Sequence, residues 1–332
     1  MAKNTTPCEE KYKTTIGGQA LIEGIMMRGP EKDAIVVRTK EGLHVDVKPR
    51  KIRPKNSIAT WPLIRGAVGF IDSQIAGVKA LMQSADLSPE VTEEEPSKLD
   101  KWLEKKLGEK KFQSLIVGIA VFFGLAMSIA IFFLLPSLIG NLFSRFVRSN
   151  LMQNLLEGVI RIAIFVLYIF LISRMKEMKR VFAYHGAEHK TIRCYEAGLE
   201  LTVENVRKMT RLHPRCGTSF LLVVMILSIL VFSAASSALL AAVPILNLIS
   251  GTFLYKLIMI VFKLLLLPLV VAVAYEINRW VGRNDNWLTR AVTAPGMWFQ
   301  NFTTNEPDDE MIEVGIAAVQ AVLPEQEGAD RW

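Results

Sequence analysis

Histidine is scarce in this chain. There are four in 332 residues, and two of them, His185 and His189, stand within five positions of each other. Cysteine is scarcer still, with only Cys8, Cys194 and Cys216. Three thiols so widely spread exclude a disulfide-stapled scaffold, the more so because the topology read below puts all three in the cytoplasm. Stacking aromatics interleaved with basic residues are also missing. Lys and Arg lie scattered along the segments that flank apolar runs, so no nucleic-acid partner is expected. No apolar run begins before residue 110, so no cleavable leader is expected.

Charge is missing from two long stretches. SLIVGIAVFFGLAMSIAIFFLL (Ser114–Leu135) and FLLVVMILSILVFSAASSALLAAV (Phe220–Val243) contain no charged residue. Each is long enough to cross a hydrocarbon core of roughly 30 Å as a helix. In lipid the backbone must satisfy its own hydrogen bonds, so these stretches read as helices. Two further spans carry a few charges. One, 153–173, holds Glu157 and Arg161; the other, 254–277, holds Lys256 and Lys263 with Pro268 inside. Hydrophobic residues make up 51% of the chain and the mean hydropathy is +0.30, which fits four spans.

Basic residues set the expected orientation. Ten Lys and Arg fall between Arg174 and Arg215, whereas the segment 244–253 has none. The positive-inside rule then places the 174–219 segment and both termini in the cytoplasm of a multi-pass inner-membrane protein. The formal charge of +7 follows from that topology and from anionic lipid at the inner leaflet. The expected fold is a mainly α membrane protein with four transmembrane helices, N-in and C-in, a small N-terminal β unit and cytoplasmic helical segments.

The organisation expected along the chain begins with a disordered tail over 1–15. A β unit of two or three strands follows over 16–58, in which AIVVRT and LHVDVKP form a hairpin about Lys40-Glu41-Gly42. An amphipathic helix over 59–86 either packs on the domain or lies in the membrane interface. An acidic linker with a juxtamembrane helix covers 87–112. The first span (113–135) and second span (153–173) come next. The 174–219 segment continues the second span as a helix and returns near HPRCGTSF. The third span (220–243), the fourth (254–277) and a tail over 278–332 complete the chain. The tail ends in a helix with Asp308 and Asp309 at its N-terminus.

The chemistry concentrates in YHGAEHKTIRCYEAG, from Tyr184. On a helix, His185 and His189 share a face, about 5–6 Å apart at Cβ. The order H-x-x-E-H is that of inverted zincins, in which the Glu before the second His acts as base. His185 and His189 are therefore candidate ligands of a divalent metal such as zinc, and Glu188 is the candidate general base. A third ligand is sought among His213, Cys216 and Glu276, with Glu196 a weaker candidate. The plainer alternative is a His pair that caps neighbouring helices or bonds lipid headgroups. For Cys216 the plainer reading is a small residue in a tight turn. Gly186 marks either a weakened helix or a close backbone approach. Glu157, Arg161 and Lys263 read either as a polar pocket within the spans or as snorkelling side chains.

GGQALIEGIMMRGP, YHGAEHKTIRCYEAG, HPRCGTSF and APGMWFQNFTTNEP occur in this order. Together they resemble the YqhQ-like family of bacterial membrane proteins, from Ile16 to about Val322. That resemblance implies an inner-membrane location. The family is a domain-of-unknown-function class whose members are sometimes labelled predicted metal-dependent enzymes, so it supplies no substrate. Two functional readings follow. One is a metal-dependent hydrolase acting on a membrane or lipid-linked substrate at the cytoplasmic face. The other is a non-enzymatic transporter subunit or scaffold. A homo-oligomer is expected for the second, with SAASSALLAA allowing close helix contact. Membrane lipid is the expected partner in either case.

Overall fold

A computed structural model describes residues 10–50, 54, 57–88, 105–106, 108–143, 149–326 and 328–331. Most of the expected disordered tail and acidic linker, together with Cys8, lies outside the described residues. The described chain is mainly helical with one four-stranded antiparallel sheet, and it divides into two units. The first comprises residues 1–89, 169–228 and 264–332; the second comprises 90–168 and 229–263.

In the first unit the sheet runs in sequence order, β1 (Gly17–Leu21), β2 (Gly24–Arg28), β3 (Lys32–Thr39) and β4 (Gly42–Pro49). The expected β3–β4 hairpin is present, with Thr39 opposite Gly42. The expected two or three strands become four, because GGQALIEGIMMR folds back on itself at Ile22-Glu23. Glu23 adopts a left-handed backbone (φ 50°), which disfavours most side chains. Its carboxylate holds it there by accepting hydrogen bonds from Arg180 and from the Tyr184 hydroxyl. Both partners lie on the helix that carries the His pair.

A helix α1 (Ile64–Leu87) follows the sheet. It has buried Gly66, Gly77, Ala80 and Ser84, and exposed Ile71, Ile75, Val78, Leu81 and Met82. Those exposed residues form an apolar face that the unit does not cover. In the second unit, α2 (Glu109–Ile129) passes through a π turn at Ala130–Leu134 into α3 (Leu135–Leu142). The expected first span therefore extends seven residues past Leu135. Helix α4 (Asn150–Ile172) does not run on as expected. A turn at Ser173–Met175 breaks it, and α5 (Lys176–Glu196) starts afresh.

The rest of the expected cytoplasmic helical segment is only partly helical. A short α6 (Val203–Lys208) is capped by Thr202, and residues 209–216 are irregular. Helix α7 (Gly217–Ala242), a turn α8 (Ile245–Leu248) and helix α9 (Phe253–Arg283) follow. Helix α10 (Trp287–Thr303) opens on an Asn286–Thr289 capping box. Helix α11 (Asp309–Val322) is capped by Asp308, which accepts from the Met311 N–H at 2.9 Å.

Among the described residues, four helical stretches are long and apolar enough to cross a membrane: Leu115–Leu142, Met152–Ile172, Gly217–Ala242 and Phe253–Arg283. In the first unit, α5 and α11 pack on the sheet around Ile25, Met27, Val36, Tyr184, Ala187 and Val319. The two helices cross closely at Gly315, where an added Cβ would meet Thr191 Oγ1 at 2.6 Å. That core fixes the rotation of α5, and so decides where its histidines point.

In the second unit, Glu157, Arg161 and Lys263 meet. Arg161 donates to Glu157 at 2.8 Å, and Lys263 donates to both oxygens of the same carboxylate at 3.0 and 3.1 Å. Pro136 has no N–H to give the Phe132 carbonyl four residues earlier, and Arg161 Nε donates to that carbonyl at 2.8 Å. Snorkelling is not what these side chains do: Arg161 and Lys263 are buried, and all three are consumed in one cluster.

Candidate metal centre

Helix α5 presents His185, Glu188 and His189 on one side, as their spacing requires. Gly186 lies between them because Asn305 crosses the helix there. A Cβ at residue 186 would overlap the Asn305 carbonyl oxygen, and the Asn305 N–H bonds the Phe182 carbonyl at 2.8 Å. Of the two readings of Gly186, close backbone approach is the one that the fold uses.

The imidazoles are oriented by backbone carbonyls. His185 Nδ1 donates to the Thr303 carbonyl at 2.7 Å, and His189 Nδ1 to the Arg211 carbonyl at 2.6 Å. A donating Nδ1–H leaves Nε2 as the nitrogen turned inward, which could bind a metal once it has given up its own proton. Arg211 is itself held by Thr304, so the end of α10 orients both rings. His185 Nε2 lies 3.2 Å from Cys216 Sγ. His189 Nε2 is buried and meets no hydrogen-bond partner among the described residues.

Donor atoms of His185, His189 and Cys216 all lie within 4.8 Å of one another. A tetrahedral zinc with ordinary Zn–N and Zn–S lengths needs ligand separations of about 3.4–3.6 Å. The residues present fit such an ion with small adjustment: two nitrogens and one sulfur converge, and one of the nitrogens is otherwise orphaned. Three protein donors would leave a fourth position open.

Glu188 stands beside this group. Its Oε1 accepts the Gly18 N–H at 3.0 Å, from the outer edge of β1, while Oε2 is buried without a hydrogen-bond partner among the described residues. Gly18 can approach because it has no side chain: a Cβ there would meet the Met26 carbonyl at 2.6 Å and Glu188 Cδ at 3.1 Å. Burial pushes the Glu188 carboxyl up from its ordinary range, against the pull of the two imidazoles. Burial also opposes ionisation of the Cys216 thiol, but His189 and His185 outweigh it and bring the thiol well below its usual value. Burial likewise opposes charge on His185, yet Cys216 and Glu188 raise it to about 9.

The other sequence candidates are engaged elsewhere. His213 Nε2 lies 3.2 Å from Glu196, and burial together with neighbouring Arg215 holds this imidazole well below its ordinary pKa, hence neutral. Glu196 is bound by Arg215 and by the Thr14 N–H. His213 lies beside His189, with ring centroids 5.6 Å apart, but neither it nor Glu196 is in the three-donor group. Glu276 is claimed by Arg65, whose Nε donates at 2.7 Å, and by the Leu63 N–H at 3.4 Å. Those two bonds reach Oε1 and the Arg65 Nη2 donates to Oε2, so both oxygens have partners at the start of α1, and Glu276 is not in the three-donor group. The orienting contacts from Gly18, Thr303 and Arg211 had no sequence signal, because each acts through a backbone atom.

Comparison with known proteins gives two matches. The family described as "Protein of unknown function (DUF1385)" matches residues 61–325. The chain is also 31% identical over 329 residues to "Uncharacterized protein YqhQ" of Bacillus subtilis (strain 168), covering 95% of this chain and 94% of that protein. No solved structure matches.

Proposed function

Because the chain belongs to the DUF1385 family, whose description assigns no activity, we propose its function from the site alone: a metal-dependent hydrolase embedded in the membrane. The observation that carries this reading is the convergence of His185, His189 and Cys216, with the buried His189 Nε2 lacking any other partner. His185 Nε2, His189 Nε2 and Cys216 Sγ would hold the ion, and zinc suits a nitrogen–sulfur set of this kind. A zinc ion so held supplies a Lewis acid and acidifies water near neutral pH.

The chain's own residues do the rest. The carbonyls of Thr303 and Arg211 fix both rings in the metal-binding tautomer. Glu188 keeps Oε1 on Gly18 and has Oε2 free to accept a proton at the open side. Its raised pKa suits a base that must later return that proton. Both cavities that border the group are lined by Glu188 and Cys216, so a substrate reaches the base and the donors together.

In this reading both termini and the 174–219 segment face the cytoplasm of the inner membrane. Support comes from the dense Lys and Arg of that segment and their absence from 244–253. The exposed apolar face of α1 would rest on the lipid of the same leaflet.

Elemental analysis of the purified full chain tests the assignment. About one zinc per chain is expected, falling below roughly a tenth in His189→Ala and in Cys216→Ser. Wild-type protein without stoichiometric zinc, manganese or iron, even after reconstitution, would reject it.

The Glu157–Arg161–Lys263 cluster favours a second reading, a transporter subunit acting as an oligomer. It borders a cavity of about 120 Å³ with polar lining that includes Asn141, Gln153, Asn154 and Lys256. Under that reading Glu157→Gln abolishes function, while a His189→Gln protein keeps it.

A further inference from the structure

Two cavities border the candidate metal centre within the first unit, and they differ in chemistry. One, of about 290 Å³, is lined by Glu188, His189 and Cys216 together with Arg28, Arg50 and Arg215. The other, of about 570 Å³, is lined by His185, Glu188 and Cys216 together with Phe70, Val181, Phe182, Phe220 and Leu221. Gly18, Gln19, Ser73, Glu188, Arg215 and Cys216 line both. The three donors and the base thus lie where a cationic chamber meets an apolar one.

The charge of the first chamber is not all spoken for. Arg215 is bound to Glu196, and Arg28 is bidentate to Asp33 at 3.2 and 3.3 Å while also donating to Ser73. Arg50 has no carboxylate partner among the described residues; its guanidinium donates once, to the Gly29 carbonyl at 2.9 Å. A guanidinium carries five N–H donors in a planar fork that matches an oxyanion. Among the described residues Glu188 is the one carboxylate that lines this chamber, and with Arg28 and Arg215 paired to Asp33 and Glu196, Arg50 is the guanidinium there without a carboxylate bound to it. An anionic group is the complement of such a chamber, and a hydrocarbon chain is the complement of its neighbour.

We propose that the site binds a bilayer lipid with an anionic oxyanion head and an acyl or alkyl tail, the head bound by Arg50 beside Arg28 and the tail lying along Phe70, Phe182 and Leu221. Calling this lipid a substrate rests on the metal-centre reading given above. Its scissile bond would lie between head and tail, next to Glu188 and Cys216.

The test uses full-length protein in phosphatidylcholine nanodiscs, titrated calorimetrically with hexyl phosphate, inorganic phosphate and hexanol, with empty nanodiscs correcting for partition. Hexyl phosphate is expected to bind at least tenfold more tightly than either fragment. Losing one charge-assisted contact corresponds to roughly tenfold in affinity, so Arg50→Gln should weaken hexyl phosphate by about that factor and leave hexanol unchanged. Phe70→Ser should weaken hexyl phosphate and spare inorganic phosphate. Arg50→Lys, which keeps the charge, should fall between wild type and Arg50→Gln. Equal binding of hexyl phosphate and inorganic phosphate, or an Arg50→Gln protein that binds hexyl phosphate like wild type, overturns the proposal. Metal content measured on the same preparations separates the two readings. Metal-free protein that still discriminates keeps the lipid site and removes the hydrolase; metal-loaded protein that does not discriminate does the reverse.

Discussion

At the scale of single residues, the site is governed by what each side chain is denied. His189 is denied a partner at Nε2, Glu188 is denied one at Oε2, and Gly186 is denied a side chain. An alanine in a helix interior ordinarily improves on glycine by roughly 0.5–1 kcal/mol. Gly186→Ala should do the opposite and cost roughly 1–3 kcal/mol, because backbone cannot yield to the new methyl group. Thermal unfolding of Gly186→Ala beside Gly118→Ala, whose position has open space, reads this directly. An unchanged or raised melting temperature for Gly186→Ala would contradict the close approach of Asn305.

Cys216 makes a second prediction at this scale. Burial works against its ionisation, but the two imidazoles outweigh burial and lower its pKa. A lowered value means that the thiolate forms at a lower pH than in an ordinary thiol. In chelator-treated protein, the iodoacetamide rate at Cys216 should rise less between pH 7 and 9 than that of an ordinary thiol. An ordinary thiol, with a pKa of about 8.5, becomes roughly 25-fold faster over that range. His189→Ala should restore the rising profile, and added zinc should block alkylation. Peptide mapping by mass spectrometry keeps Cys216 distinct from the other two thiols. A wild-type rate that rises like a free thiol's would show that the imidazoles do not act on it.

At the scale of elements, the second unit joins charge to an irregularity of its helix. The π turn at Ala130–Leu134 and Pro136 leave the Phe132 carbonyl available, and Arg161 takes it while also binding Glu157. Among the described residues, Glu157 is the one acid that answers two buried cations, Arg161 and Lys263. Removing it leaves both charges uncompensated, which typically costs about 3–5 kcal/mol. Glu157→Gln should therefore lower stability by that order in detergent titrations. Lys263→Met should cost less, because the Arg161–Glu157 pair survives. A Glu157→Gln loss below about 1 kcal/mol would mean that the cluster is solvated.

At the scale of the whole molecule, the four apolar helices and the uneven spread of basic residues argue for one orientation in the membrane. A cysteine introduced as Asn247→Cys, between α7 and α9, should react with a membrane-impermeant maleimide in intact cells. A cysteine introduced as Glu200→Cys should react only after lysis. The reverse pattern would put the candidate metal centre on the outer side and remove the cytoplasmic leaflet as its workplace.

The sequence alone determined the four apolar spans, the β3–β4 hairpin, the Asp308 cap and the pairing of His185 with His189 on one face. Each rests on local periodicity or local capping, and such rules act over a few residues. The extra strand was not legible, because the two-residue turn at Ile22-Glu23 depends on Arg180 and Tyr184, which come from far along the chain. The break at Ser173–Met175 was missed because nothing in the spacing interrupts the helical pattern. Selection of the third donor lay wholly beyond sequence. His213, Cys216 and Glu276 all stood as candidates, Cys216 with a plainer reading beside it, until packing gave His213 to Glu196 and Glu276 to Arg65, and left Cys216 facing two imidazoles. Long-range packing made that choice because a ligand set is defined by distances between side chains, and those are set only when α5, α10 and the 209–216 segment close on one another.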